Sequence, residues 1–259
     1  MADLELATGP VTWGVDFADA PDNPPWDEVV AGIDAAGYRW TELGPLGYLP
    51  PDELARRGIG VTGGFVFEPL LDGDRALAAA RRASARIAAA GGRFLVIIDA
   101  VGAAPLPDRA ALGRSVLAIA EVARDHGLRP VLHPHAGTHI ERTADIEPLL
   151  DLCELCLDTG HIAYVGEDPV ALYRRWAERI PYLHLKDVDP ARRDGDFWAS
   201  VRAGVFRPLG EGVVDLSGLI AALAEHAFDG WAVVEQDRVP GGDPVADLVA
   251  ARRAVEALL

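Results

Sequence analysis

The chain has 259 residues, half of them hydrophobic and a quarter charged, with a formal net charge of -16. That length suits one α/β barrel with a large core, while the acidic balance repels phosphate backbones and anionic lipid, which excludes nucleic acid and membrane surfaces as partners. No apolar run approaches the roughly 20 residues of a membrane span, and the opening MADLELATGPVTWG lacks a basic region followed by an apolar one, so a cytoplasmic protein without a secretion signal is expected.

Along the chain a strand–helix alternation recurs. Strands are predicted at VTWGV (11–15), YRWTELG (38–44), IGVTGGFVF (59–67), RFLVIIDA (93–100), LRPVLHPH (128–135), LCLDTGH (155–161), PYLHLKD (181–187) and WAVVEQ (231–236). Between them, WDEVVAGIDAAG, ALAAARRASARIAAAGG and RAALGRSVLAIAEVARDHG place apolar residues at helical spacing and end near Gly. PVALYRRWAERI, LSGLIAALAEHAF and PVADLVAARRAVEALL behave likewise. Runs such as FLVII are apolar on both faces, as buried parallel strands should be. Eight strands alternating with eight helices predict an α/β fold, a (β/α)8 TIM barrel forming a single domain over 1–259. The competing open doubly wound sheet lacks a G-x-G-x-x-G after the first strand.

One segment breaks the rhythm. DPARRDGDFWASVRAGVFRPLGEGVVD separates the seventh strand from its helix. A loop that long is functional or disordered in most domains, and Phe197, Trp198 and Phe206 favour an ordered lid over a surface excursion. Cys153 and Cys156 form a C-x-x-C. A redox pair sits where a strand hands over to a helix, whereas here a helix (IEPLLDLC) hands over to a strand (LCLD). A structural zinc site would need two more ligands. Two thiols packed beneath the barrel is the expected state.

Function in a barrel gathers at the C-terminal ends of the strands. Glu42 follows strand two, Asp99 strand four, His133 and His135 lie on five, and Asp158 and His161 end six. His184 and Lys186 end seven, and Glu235 ends eight. Strand side chains alternate, so His133 and His135 share a face, as do His184 and Lys186. Each has a structural explanation alone: Asp158-Thr159 as a helix cap, His184 as a core histidine, Glu42 as an arginine partner. Several ionisable groups pointing into one barrel need a shared partner to offset their desolvation, which suggests a cation.

The segments HPHAGTHIE, LDTGH, HLKDV, PLGEGVVD and GWAVVEQD, with the early WTELGPLGYLP, resemble the xylose-isomerase-like TIM-barrel superfamily across essentially the whole chain. That group holds sugar isomerases and epimerases, hydroxypyruvate isomerase, inosose dehydratase and apurinic endonucleases. The resemblance is nearest to the inosose dehydratase branch. It implies one divalent metal, manganese first, with magnesium, cobalt or zinc as alternatives. The implied ligands are Glu141, Asp158, His184 and Glu235. Strand five departs from the epimerase pattern, carrying His133 and His135 where a glutamate is expected, so Glu141 and His135 compete as the first ligand.

The implied chemistry is that of a metal-dependent lyase or isomerase on a small keto-sugar or keto-cyclitol. Cation polarisation makes the α-proton acidic, and Lys186 helps hold the enediolate. His135, His139 or Glu235 takes the proton, while Glu42, His133 and His161 contact substrate. Loss of a β-hydroxyl gives dehydration; reprotonation gives isomerisation or epimerisation. Two readings stand against it. An apurinic endonuclease needs a basic DNA-binding face that a charge of -16 denies. A non-catalytic sugar-binding barrel does not need Asp158, His184 and Glu235 together. Homo-oligomers are common in such barrels, and no exposed apolar stripe in the sequence assigns one. Loop arginines 192, 193, 202 and 207 are candidate phosphate contacts, although the expected substrate is unphosphorylated.

Overall fold

The computed structural model describes residues 3–101, 108–237 and 242–259. Eight parallel strands close a barrel: β1 (Asp3–Thr8), β2 (Trp40–Glu42), β3 (Gly60–Glu68), β4 (Phe94–Asp99), β5 (Arg129–Leu132), β6 (Glu154–Asp158), β7 (Tyr182–Leu185) and, after a small hairpin of β8 (Asp187–Val188) and β9 (Phe206–Arg207), β10 (Asp229–Val234). β1 pairs with both β2 and β10, which closes the ring. The helices are α1 (Trp26–Ala35), α2 (Pro51–Arg56), α3 (Gly73–Ala89), α4 (Arg109–Asp125), α5 (Thr143–Ile146), α6 (Thr159–Tyr164), α7 (Pro169–Trp176), α8 (Phe197–Arg202), α9 (Leu216–Glu225) and α10 (Pro244–Glu256). Among the described residues, no helix is long and apolar enough to cross a membrane.

The alternation along each strand sorts two cores. Phe94, Val96 and Ile98 of β4 point into the barrel with Val131, Cys156, Tyr182, Trp231 and Val233. Leu95 and Ile97 point outward with Leu132, Leu155, Leu157, Leu183 and Leu185 to meet the helices. Both faces of β4 are buried, which is why its sequence reads as an unbroken apolar run. Phe94 stacks on Tyr182 with ring centroids 4.5 Å apart and meets Trp231 edge-on, so the barrel floor is a plug of aromatic rings rather than a channel.

Seven of the 40 acidic residues cap α-helix starts. Asp72, Asp108, Asp158, Asp168, Asp196, Asp215 and Asp243 each occupy an N-cap and accept a backbone N–H of the first turn. Each such cap is worth about 1 kcal/mol.

The first strand lies earlier than expected. Residues 3–8 form it, and Pro10–Trp13 is a 3-10 turn instead of the predicted strand at 11–15. Pro10 has no N–H to give a ladder, and Gly14 ends the turn at φ 79°. The seventh-strand insertion is ordered. Phe197, Val205, Phe206 and Val214 bury themselves against Ala136, Ala163 and Val188 above the barrel mouth. Cys153 and Cys156 are buried free thiols, as expected.

Candidate active site

The period of two that builds the barrel core also builds the site. One position beyond each interior core residue in the inward register stands a polar group: Val131 is followed inward by His133, Cys156 by Asp158, Tyr182 by His184, and Val233 by Glu235. Asp158 and His184 are register partners across β6 and β7, and Val233 pairs with His184 across β10 and β7. These four side chains therefore rise from adjacent strands at one end of the barrel. All four are buried.

Their donor atoms form a chain of close approaches. His133 Nε2 lies 3.4 Å from Asp158 Oδ2, Asp158 Oδ2 is 3.9 Å from His184 Nδ1, and His184 Nδ1 is 3.3 Å from Glu235 Oε2. Asp158 Oδ2 and His184 Nδ1 are buried without a hydrogen-bond partner, an arrangement that normally costs a few kcal/mol. Donor atoms around one divalent cation bonded at about 2.1 Å sit about 3 Å apart. The spacing, the orphaned atoms and the excess of buried carboxylate together fit a cation. Two groups of metal-capable donors occur here, Glu42–His184–Glu235 and His133–Asp158–His161.

Glu42 sets the orientation of His184. Its Oε1 lies 3.1 Å from His184 Nε2 and accepts the Tyr182 hydroxyl at 2.9 Å. With Nε2–H donated to Glu42, Nδ1 presents its lone pair to Asp158 and Glu235. A second carboxylate holding a histidine in this way is the usual support for a metal-ligating imidazole. Burial pulls the His184 pKa down, but the carboxylates of Glu235 and Glu42 outweigh it and leave it well above the ordinary value. The pocket thus favours a positive charge at this point, a proton or a metal.

Lys186 is the one buried cation of the cluster among the described residues. Its Nζ stands 3.2 Å from Glu235, 3.3 Å from Asp237 and 3.7 Å from Asp158. Burial opposes its charge, yet Asp237, Asp158 and Glu235 outweigh that and hold its pKa well above normal. Glu235 responds in the opposite sense: burial raises its pKa, and His184 and Lys186 bring it well below the carboxylate range.

The D-T-G-H segment assembles the neighbouring wall. Asp158 Oδ1 caps α6 by accepting His161 N at 2.8 Å, which leaves Oδ2 for the cluster. The capping role and the site role thus belong to different oxygens of one carboxylate. Thr159 Oγ1 donates to the Lys186 carbonyl at 2.6 Å and accepts Lys186 N at 2.9 Å. A Cβ on Gly160 would sit 2.8 Å from Lys186 Cβ, so only glycine lets α6 pack so close to the lysine. His161 Nδ1 accepts Ala136 N at 3.2 Å. His161 therefore enters the site from a helix, not from the expected strand.

His135 lies against His161 with ring centroids 4.0 Å apart. Its Nδ1 is 2.9 Å from the Ala136 carbonyl, so the other ring nitrogen faces the cavity. Burial and the nearby charges of His133 and Lys186 lower its pKa to about 3, which keeps it unprotonated at neutral pH.

Two expected site residues are not brought into the cluster. Glu141, expected as the first metal ligand, is half-buried on the loop after β5; its Oε2 accepts Gly137 N at 2.8 Å and its Oε1 pairs with Arg142 at 3.4 Å. The inward register runs through His133 and leaves the strand before Glu141 is reached. His139, a candidate base, is buried against Asp99, with Nδ1 2.9 Å from Oδ2, and is not part of the cavity wall. Sequence reasoning missed Asp237 and Asp16. Asp237 carried a signal, lying two residues past Glu235 on the same face; Asp16 sits in an irregular segment and carried none.

The cavity above the cluster measures about 140 Å³. His133, His184, Lys186 and Glu235 form its floor. The lid, carrying Phe197 and Trp198, forms one wall. Asp187 holds that lid from below. Facing away from Lys186, its Oδ1 accepts Val188 N at 2.8 Å and Val214 N at 3.0 Å, and its Oδ2 accepts Gly210 N and Gly212 N at 2.9 Å each.

Comparison with known proteins agrees with the barrel fold. An inosose dehydratase of Lacticaseibacillus casei is 33% identical over 149 residues, 53% of this chain and 50% of that protein, so the matched part spans about half of that relative's length. An inosose dehydratase of Geobacillus kaustophilus (strain HTA426) is 28% identical over 272 residues, covering 92% of this chain and 88% of the other. Among solved structures, an L-ribulose 3-epimerase superposes with a TM-score of 0.76 at 19% identity, covering 100% of this chain and 95% of that one. IolI protein with a bound zinc atom gives 0.76 at 14% identity, covering 98% of each chain. At such identities the structural likeness speaks for the fold. Residues 19–258 match the family described as xylose isomerase-like TIM barrel, and the chain belongs to that family.

Proposed function

We propose that the protein is a metal-dependent lyase acting on a small, neutral keto-polyol, of the inosose dehydratase type. The observation that carries this is the chain of His133 Nε2, Asp158 Oδ2, His184 Nδ1 and Glu235 Oε2, with successive atoms 3.3–3.9 Å apart and His133, His184 and Glu235 lining the cavity. These four residues would hold one divalent cation. Two imidazoles and two carboxylates suit a borderline first-row ion such as manganese, cobalt or zinc better than magnesium. When bound, such a cation would polarise a substrate carbonyl and acidify the neighbouring C–H.

The chain's own groups supply the rest. Lys186, kept protonated by three carboxylates, donates a hydrogen bond to the oxygen on which negative charge develops. His135 is unprotonated and faces the cavity, so it is positioned to accept the α-proton. Passing that proton to a departing β-hydroxyl breaks the C–O bond and releases water, which completes an elimination. The epimerase alternative wants two carboxylates facing each other across one carbon. Here strand five supplies His133 opposite Glu235, so elimination is the better-supported outcome.

The test is direct. Purified protein should carry or take up close to one divalent ion per chain, and keto-inositols incubated in D2O with manganese should lose water or take up deuterium next to the carbonyl. A protein that turns over such substrates equally well after EDTA treatment would overturn the proposal.

A further inference from the structure

The cavity holds more than the polar floor needs. Its upper walls are Phe65 and Phe67 of β3, Ile98 of β4 and Phe197, Trp198 and Val201 of α8. The rings follow one another at intermediate tilts. Phe17 lies 6.2 Å from Phe67 at 35°, Phe67 lies 5.8 Å from His135 at 37°, and His135 lies 6.2 Å from Trp198 at 38°. Centroid separations of this size are those of interacting aromatic rings. Two of these side chains are exposed although large and apolar, Phe17 at 53% and Trp198 at 43%. Trp198 lines the cavity and Phe17 packs against Phe67 of its wall, and an exposed aromatic cluster at a cavity mouth marks a surface built to be covered.

Above its floor, the same cavity offers nothing to an anion. Lys186 is the one lysine or arginine among its described lining residues, and three carboxylates surround it. Asp16 and Asp237 add further negative charge to the lining. Three of the lid arginines are engaged elsewhere: Arg192 pairs with Asp189, Arg207 with Glu211, and Arg193 lies over the Tyr164 ring; Arg202 does not line the cavity.

We infer that the substrate is a neutral keto-sugar bearing a flat apolar substituent, such as an aryl glycoside, with the sugar on the polar floor and the aryl ring against Phe67 and Trp198. A free polyol would leave the aromatic wall wet, and a phosphate directed at that wall would find no basic side chain on it. This deepens the functional reading above and relies on it for the placement of the sugar half alone.

Binding can be read without turnover. Calorimetric titration with phenyl glucoside, methyl glucoside and glucose 6-phosphate, each with and without manganese, separates the two halves. Phenyl glucoside should bind about tenfold or more tightly than methyl glucoside, the gain expected when one aromatic ring is buried against others. That preference should shrink in Trp198→Ala and in Phe17→Ala; the latter removes a half-exposed side chain that the fold tolerates losing. Equal affinity for the phenyl and methyl compounds, no detectable phenyl glucoside binding, or a preference for glucose 6-phosphate would each overturn the inference. A preference for the phenyl compound in a protein that neither takes up metal nor turns over keto-sugars would sustain the aryl site while refuting the lyase reading.

Discussion

His184 Nε2 lies 3.1 Å from Glu42 Oε1, a contact made across 142 positions of sequence and the full width of the barrel. It decides which face of the imidazole is available. With Nε2 held by the carboxylate, Nδ1 is left among Asp158, Glu235 and the cavity. Glu42→Gln keeps the shape but lets the amide turn either its oxygen or its NH2 to the ring, and it removes the charge that fixes the tautomer. Affinity for manganese or zinc should fall about 10- to 100-fold, the usual effect of losing such a support. Competition titration against a chelating dye measures it; unchanged affinity would remove Glu42 from this role.

The first ligand is tested by a pair of variants. His133→Ala deletes a donor 3.4 Å from Asp158 Oδ2 and should weaken metal binding by more than Glu42→Gln does. Glu141→Gln should leave metal content close to that of the parent, because its carboxylate is engaged with Gly137 N and Arg142. A metal-free Glu141→Gln protein beside a metal-replete His133→Ala protein would reverse the assignment.

The architecture was legible because its signals are periodic. The apolar runs and the Gly-terminated helices are local patterns, and they position seven of the eight strands that the barrel contains. β1 was missed because DLELAT is short and mixed, while the more apolar VTWGV next to Pro10 folds into a single turn. At the site, Asp158, His184, Lys186 and Glu235 were legible from strand ends. His133 was read as a substrate contact, although the step of two from Val131 places it in the same register as the other three. His139 looked equivalent to His135, and no local pattern could announce its burial against Asp99 on a different strand. Phe65, Phe67 and the lid aromatics share one cavity only after closure of the barrel, so spacing along the chain does not reveal their wall.

The two cysteines should be inert. Burial pushes the Cys153 thiol up to about 12 and the Cys156 thiol up to about 11. Each is therefore protonated through the neutral and mildly alkaline range, and its thiolate appears only as pH rises toward those values. At pH 8 the folded protein should show almost no reaction with a disulfide reagent over minutes, and two thiols should appear on unfolding in guanidinium. Rapid labelling of the folded chain at pH 8 would contradict the burial of the pair and reopen a redox role.

Asp187 and Lys186 are consecutive but serve opposite faces: the lysine meets the cavity floor, and the aspartate gathers four backbone N–H groups of the lid. A carboxylate accepting several N–H bonds is held more firmly than neutral partners would be, each such bond contributing about 1.5–3 kcal/mol. Asp187→Asn keeps one acceptor oxygen and turns an NH2 toward donors, so at least two of the four bonds should fail. The loss falls on residues 208–214 rather than on the barrel, whose strands do not depend on them. Amide exchange at Gly210, Gly212 and Val214 should accelerate by more than tenfold while the β4 and β6 amides stay protected. Because Phe197 and Phe206 pack in the same small cluster as Val214, loosening that segment should also disturb the cavity wall. KM for a cavity-filling substrate should therefore rise more than kcat falls. Unchanged exchange across 208–214 in that variant would mean that the apolar packing of the lid, not Asp187, keeps it closed.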